Sequence, residues 1–266
     1  MKDLIIAATT RYTKEQLYNY VESINRCGFS GDKIMVVYDV DDDTIDFLKN
    51  NDWELFKADL EGHIHMHRLI TMYWVLRGLK RKYRYMITTD VRDVIFQHNP
   101  SDWLKKNLKK NILVSTENVL YKHEAWGEKN VKEGYNELLW DRYQDNLSCN
   151  VGVLAGKYDS MLDLLLLNYL VSQAGNTDHF TDQSSFNFIV HNNIAKDAVQ
   201  ITGIEDDWAL QLGTLDNKNL IGKQTHKKED FIIIHQYDRV PEIDNYVRID
   251  GNYNEGEFLN VKYTEA

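Results

Sequence analysis

The stretch Tyr85-Met86-Ile87-Thr88-Thr89-Asp90-Val91-Arg92-Asp93-Val94-Ile95-Phe96 runs as an apolar, β-prone segment into two acids, and a second apolar segment follows at once. In an extended strand, side chains three apart point to opposite faces, so Asp90 and Asp93 could not act together there. A turn over residues 89–92 lets the two carboxylates converge, as i and i+3 groups do on a helical turn. Carboxylates paired at the carboxyl end of a central strand suit a hard divalent cation that keeps positions open for a phosphate ligand. A plainer reading of the same residues has Asp90 capping the turn and Asp93 pairing with Arg84 or Arg92.

Working outward, the first hundred residues alternate strand and helix. Residues 4–8 read as a strand, 14–26 as an amphipathic helix and 33–38 as a second strand. Residues 44–50 form a short helix, 53–57 a third strand, 67–80 a longer helix, and 85–89 close the series. This βαβα order predicts an α/β fold with a mostly parallel sheet covered by helices on both faces. The second half is less regular. Residues 112–115 and 150–155 read as strands separated by a polar, aromatic-rich excursion through Trp126 and Trp140. Helices at 158–172 and 182–191, a strand at 198–202 and the apolar run 231–234 follow. No repeat, low-complexity tract or linker divides the chain, and its two prolines are Pro100 and Pro241. The expectation is a single domain over residues 1–266, with a nucleotide-binding half of about 1–100 and an acceptor-binding half of about 101–266.

A chain of 266 residues with 43% hydrophobic and 12% aromatic content is long and apolar enough for a substantial core. Its net charge of −10 argues against nucleic acid as a partner, because no broad basic face is available. The run Lys80-Arg81-Lys82 reads as a solvated helix end. An anionic substrate has to be met locally, by a metal or an arginine. Cys27 and Cys149 give no disulfide framework, so a reducing compartment is expected. The N-terminus lacks the long apolar region of a signal peptide. The most lipid-like segment, 161–171, carries Asp163 and Asn168 and is too short to span a bilayer. Together these features predict a soluble, cytoplasmic chain without a transmembrane segment.

Further acids and histidines stand at segment ends. In Tyr38-Asp39-Val40-Asp41-Asp42-Asp43-Thr44 the register does not fit the Asp-x-Asp-x-Thr start of haloacid-dehalogenase-type phosphatases, and Asp43 or Thr44 is expected to cap the following helix. Asp39 differs, because it occupies the strand tip where a nucleotide would lie. His63, His65 and His67 share a face only on a strand, and a solvated loop entering a helix explains them better than zinc does. Arg68, at the start of that helix, can reach a phosphate in bidentate fashion. Ile232-Ile233-Ile234-His235 repeats the opening design, an apolar strand delivering a ligand-capable side chain, and His235 can complete an Asp/Asp/His set or pack against Tyr237. Asn150 precedes Gly152, which lets another group approach the backbone closely. Thr181 or Asp182 is a plausible helix cap, and Asp182-Gln183 become functional if that helix start faces the metal.

Taken together, these pieces resemble nucleotide-sugar glycosyltransferases of the GT-A fold. The resemblance is to the retaining group that includes glycogenin and bacterial lipopolysaccharide galactosyltransferases, and to short bacterial or viral transferases with an Asp-Val-Arg-Asp-Val motif. The family's Asp-x-Asp metal motif falls at Asp90-Val91-Arg92-Asp93, its Asn-x-Gly strand at Asn150-Val151-Gly152, its Asp-Gln helix start at Asp182-Gln183, and its late metal histidine at His235. The four occur in order over nearly the whole chain, although the spacing here is Asp-x-x-Asp. The resemblance implies Mn2+ or Mg2+ on Asp90, Asp93 and His235, with a UDP-sugar donor and a glycan acceptor. It implies that Ala8, Thr9, Arg11, Asp39, Arg68, Asp90, Asn150 and Gln183 hold the nucleotide-sugar. Asp93 and Asp182 take the catalytic roles, Asp182 either as electrostatic partner of an oxocarbenium-like ring or as base on the acceptor hydroxyl. Trp126, Tyr135, Trp140 and Trp208 are candidate stacking surfaces for an acceptor sugar. Two other readings stand beside it. A nucleotidyltransferase making sugar nucleotides needs a glycine- and lysine/arginine-rich loop that Ala7-Ala8-Thr9-Thr10-Arg11 lacks. A non-catalytic sugar-binding module of the same fold needs no metal chemistry.

Overall fold

The computed structural model describes residues 1–176, 181–192, 195, 197–223 and 227–241. Along the first ninety residues, β1 (Leu4–Thr10), α1 (Lys14–Arg26), β2 (Asp32–Tyr38), α2 (Asp42–Asn50), β3 (Glu54–Lys57), α3 (Ile64–Leu79) and β4 (Tyr85–Thr89) alternate as the pattern predicts. Their strands lie side by side and parallel in the order β3-β2-β1-β4. Parallel neighbours need a crossover between them, and α1, α2 and α3 supply it. The sheet continues through β7 (Leu147–Lys157), β6 (Ile112–Leu120) and β8 (Val199–Thr202), giving β3-β2-β1-β4-β7-β6-β8. Strand β7 alone runs against its neighbours β4 and β6. The fold is therefore α/β, with a seven-stranded, mostly parallel, Rossmann-like central sheet.

Strand periodicity divides the core in two. Leu4, Ile6 and Ala8 of β1 and Ile34 and Val36 of β2 pack with Leu69, Met72 and Leu76 of α3. The same cluster takes in Met161 and Leu165 of α7 (Tyr158–Gln173) and Phe186 of α8 (Asp182–Val190). Their alternates Ile5, Ala7, Met35 and Val37 face Leu17, Tyr20 and Ile24 of α1 and Trp103 of α4 (Pro100–Asn107) on the other side. Successive side chains point to opposite faces, so a strand buried on both sides reads as a continuous apolar run. Each large side chain fully buried this way contributes about 1.5–3 kcal/mol.

Four local features differ from expectation. Asp41, not Asp43 or Thr44, caps α2, its Oδ1 accepting the Thr44 N–H at 2.7 Å. Helix α3 starts at Ile64 rather than at residue 67, with His63 as its N-cap residue. The excursion between β6 and β7 is helical, forming α5 (Ala125–Gly134) and α6 (Glu137–Tyr143). Their starts are set by side-chain caps, Glu124 accepting from Trp126 N and Gly127 N, and Asn136 accepting from Leu139 N. Finally, β5 (Val94–Phe96), β9 (Ala209–Gln211) and β10 (Ile233–His235) make a second, three-stranded sheet in the order β5-β10-β9. Among the described residues no helix is long and apolar enough to cross a membrane.

Candidate metal centre and cleft

The site is assembled where the two sheets meet. After β4 the chain turns, and three anchors hold the turn. Asp90 N donates to Gly152 O at 2.8 Å, Tyr237 Oη donates to Arg92 O at 2.8 Å, and Gln236 N donates to Asp93 O at 2.7 Å. Strand β5 leaves this turn and pairs antiparallel with β10, placing His235 opposite Val94. Two apolar strands of three residues thus bring the late histidine beside the early acids. One ligand atom from each of Asp90, Asp93 and His235 lies within 4.8 Å of the others. His235 Nε2 stands 3.6 Å from Asp90 Oδ2 and 3.8 Å from Asp93 Oδ1.

The far side of the imidazole is fixed. His235 Nδ1 lies 2.7 Å from Gln211 Oε1, and Gln211 Nε2 donates to Ser115 Oγ at 2.6 Å. An amide oxygen accepts only, so Nδ1 carries the proton and Nε2 turns its lone pair toward the carboxylates. Gly152 leaves room on β7: a Cβ there would stand 2.9 Å from both Asp90 Oδ2 and His235 Nε2.

Arg68, on the second turn of α3 and 9% exposed, forks between two acids. Its Nη1 donates to Asp90 Oδ1, and its Nη2 to Asp182 Oδ2 at 3.4 Å. Burial works against the Arg68 charge, but Asp90 and Asp182 outweigh it and raise its pKa. Burial likewise pushes the Asp90 carboxyl up, yet Arg68 and His235 hold it well below the usual carboxylate range. Asp93 goes the other way, raised by burial against the pull of His235. Its partners are distant, at 3.8 Å for His235 and 4.0 Å for Arg92 Nη2, which itself bonds Asp238 at 2.7 Å. Arg84 is engaged elsewhere, forked onto Asp3 at 2.9 and 2.7 Å. Two guanidinium groups, Arg68 and Arg92, thus face four carboxylates, Asp90, Asp182, Asp93 and Asp238. Two carboxylate oxygens and an imidazole nitrogen, with charge left over, could hold a metal ion, and the donor set suits a hard divalent cation better than a thiolate-seeking one.

These groups line a cleft of about 590 Å3, together with Ala8, Thr9, Asn150, Asp182 and Gln183. The residues singled out from four separate stretches of sequence therefore share one wall. Arg11 and Asp39 do not join them. They pair with each other at 2.9 Å on the exposed tips of β1 and β2, both in left-handed backbone. Asp39 lines instead a second, shallower pocket of about 300 Å3 with Lys57 and Asp59. Of the three neighbouring histidines, only His65 lines the cleft, while His67 Nδ1 accepts the Glu61 N–H. Of the four candidate stacking aromatics, only Trp126 lines it. Trp140 and Trp208 are buried, and Tyr135 Oη donates to Val171 O.

Glu117, Gln211 and Arg239 were not picked out by sequence reasoning. Buried Glu117 forms part of the cleft floor and accepts from Ser148 Oγ at 2.5 Å, Asn150 Nδ2 at 2.9 Å and Gln183 Nε2 at 3.3 Å. Its signal was a lone acid within a β-prone run, Val114-Ser115-Thr116-Glu117. Asn150 and Gln183 are thus cross-linked through one carboxylate. Compared with known proteins, the chain matches no family model and no curated protein.

Proposed function

We propose that this chain is a divalent-metal-dependent glycosyltransferase of the GT-A type, moving a sugar from a UDP-sugar to a glycan or other hydroxyl acceptor. The observation that carries the reading is the convergence of Asp90, Asp93 and His235 on one cleft at the carboxyl end of β4. Ligands of open α/β sheets bind at that end. In support, Asn150, Gly152, Asp182 and Gln183 line the same cleft.

Asp90, Asp93 and His235 would hold Mn2+ or Mg2+, which when bound stabilises the negative charge that builds on the departing diphosphate by several kcal/mol. Ala8 and Thr9, toward the carboxyl end of β1, border the nucleoside. Arg239, exposed on the rim, adds positive charge toward the phosphates. Asp182 faces the reacting ring as a fixed carboxylate, aligned by Arg68. Glu117, Asn150 and Gln183 form a bonded set whose remaining lone pairs and N–H groups suit sugar hydroxyls. The net charge of −10 keeps nucleic acid out of the picture.

Calorimetry with UDP, with and without Mn2+, tests the proposal. UDP binding that requires the metal, with turnover of one member of a nucleotide-sugar panel, is the expected result. Saccharide binding without nucleotide would instead favour a sugar-binding module. Turnover of a nucleoside triphosphate with a sugar phosphate would favour a nucleotidyltransferase.

A further inference from the structure

We infer that the first turn of α5 is the acceptor subsite and takes a saccharide, with the Trp126 indole lying under one face of a pyranose ring; this rests on the sugar-transfer reading above. Trp53, Trp103, Trp140 and Trp208 are at most 7% exposed. Trp74 is 64% exposed but lies on α3 and does not line the cleft. Trp126 alone among the tryptophans combines a place in the cleft wall with 47% exposure. An indole left facing water inside a concave, polar site is a surface for a ligand to cover. A pyranose matches it, having a face of C–H groups that packs on a π-cloud and an edge of hydroxyls. An alkyl alcohol, or a serine side chain of a protein acceptor, has no such face.

The backbone that carries the platform is preformed. Glu124 Oε1 accepts the Trp126 backbone N–H at 3.1 Å, and Glu124 Oε2 accepts that of Gly127. A Cβ at Gly127 would stand 2.7 Å from both Glu124 Oε2 and Tyr121 Cε1, so the turn is packed tightly onto the end of β6. Little ordering is then needed when a ligand arrives. Thr214 and Glu117 line the same cleft and offer a hydroxyl and a carboxylate to saccharide hydroxyls.

The test compares wild type with Trp126→Ala and Trp126→Phe. UDP-glucose and UDP-galactose serve as donors with Mn2+, and maltose and lactose as acceptors. Trp126→Ala should lower the ratio of disaccharide-dependent to water-dependent UDP release about tenfold, the scale of one lost aromatic contact, acting through the disaccharide KM. Trp126→Phe should restore most of it. In parallel, maltose or lactose should quench wild-type tryptophan emission and leave Trp126→Phe unchanged. An unaltered ratio and KM in Trp126→Ala would overturn the subsite. Should neither donor release UDP, the transfer reading fails separately and the fluorescence decides. A quench lost in Trp126→Phe retains the subsite, and no quench, or an equal one, overturns it.

Discussion

His235 Nε2 lies 3.8 Å from Asp93 Oδ1, because the strand that follows Asp93 pairs in antiparallel register with the strand that ends at His235. The metal-ligand set is therefore a product of the small second sheet, and the large sheet contributes only Asp90 and the space above Gly152. Asp93 is the weakly bonded member, buried with its charged partners near 4 Å. Asp93→Ala removes a charge that nothing in the protein bonds tightly, so the metal-free thermal melt should change little. Mn2+ at about 100 times its Kd should stabilise wild type by about 2.7 kcal/mol and the variant not at all. UDP-sugar turnover should disappear with it. Thermal melts with and without Mn2+, beside a turnover assay, check this, and full activity in the variant would remove the metal assignment.

Part of this was legible from residues alone. Strands β1, β2 and β4 announce themselves because burial on both faces makes them apolar runs, and α1 because its apolar residues recur with helical period. Asp90, Asp93 and His235 were visible as polar ends of apolar strands. Their meeting was not, since β5, β9 and β10 are three residues each and too short to carry a period. Helices α5 and α6 were read only as a polar, aromatic-rich excursion because capping by Glu124 and Asn136, not apolar spacing, sets their starts. Arg11 and Asp39 stand just past the ends of β1 and β2 in left-handed backbone and pair with each other outside the cleft lining.

Gly152→Ala tests whether the space above β7 is part of the centre. The added methyl would stand 2.9 Å from Asp90 Oδ2 and from His235 Nε2, and the backbone cannot retreat freely because Gly152 O accepts the Asp90 N–H. Overpacking of this kind costs about 1–3 kcal/mol. Metal affinity should fall further than stability does, because both ligands have to move. A Mn2+ titration and urea unfolding of the same variant separate the two effects. Wild-type affinity would show the gap to be unrelated to the ion.

Arg68 holds Asp90 and Asp182 together from a buried position. Arg68→Met should destabilise the metal-free protein by about 3–5 kcal/mol, since it strands Asp182 without a counter-charge and leaves Asp90 only the imidazole of His235. Adding Asp182→Asn to that variant should recover part of the loss, because that stranded charge is gone. Mn2+ should recover part as well, by neutralising Asp90. Additive losses in the double variant, measured by urea unfolding, would mean that the fork is not a coupled unit.

Proton and metal compete at His235. Burial disfavours the imidazolium, but the carboxylates of Asp90 and Asp93, 3.6 and 3.8 Å from Nε2, outweigh it, so the metal-free pKa is raised above the ordinary 6.5. A raised value means the folded protein binds this proton more tightly than the unfolded chain. That contribution to metal-free stability is complete below pH 6.5 and is lost as pH rises through the folded-state value. Metal binding runs the opposite way, because only unprotonated Nε2 can ligate. Mn2+ affinity should fall about tenfold per pH unit below the raised value if a single proton competes. The Mn2+-induced shift in melting temperature should therefore grow with pH while metal-free stability from this group declines. His235→Asn should flatten both trends. Gln211→Leu deletes the acceptor that keeps the proton on Nδ1, and loss of such a supporting partner typically lowers affinity about 10–100-fold. Melts across pH 5.5–8.5, about three units spanning the imidazole range, would show the two slopes, and equal slopes in wild type and His235→Asn would take His235 out of the centre.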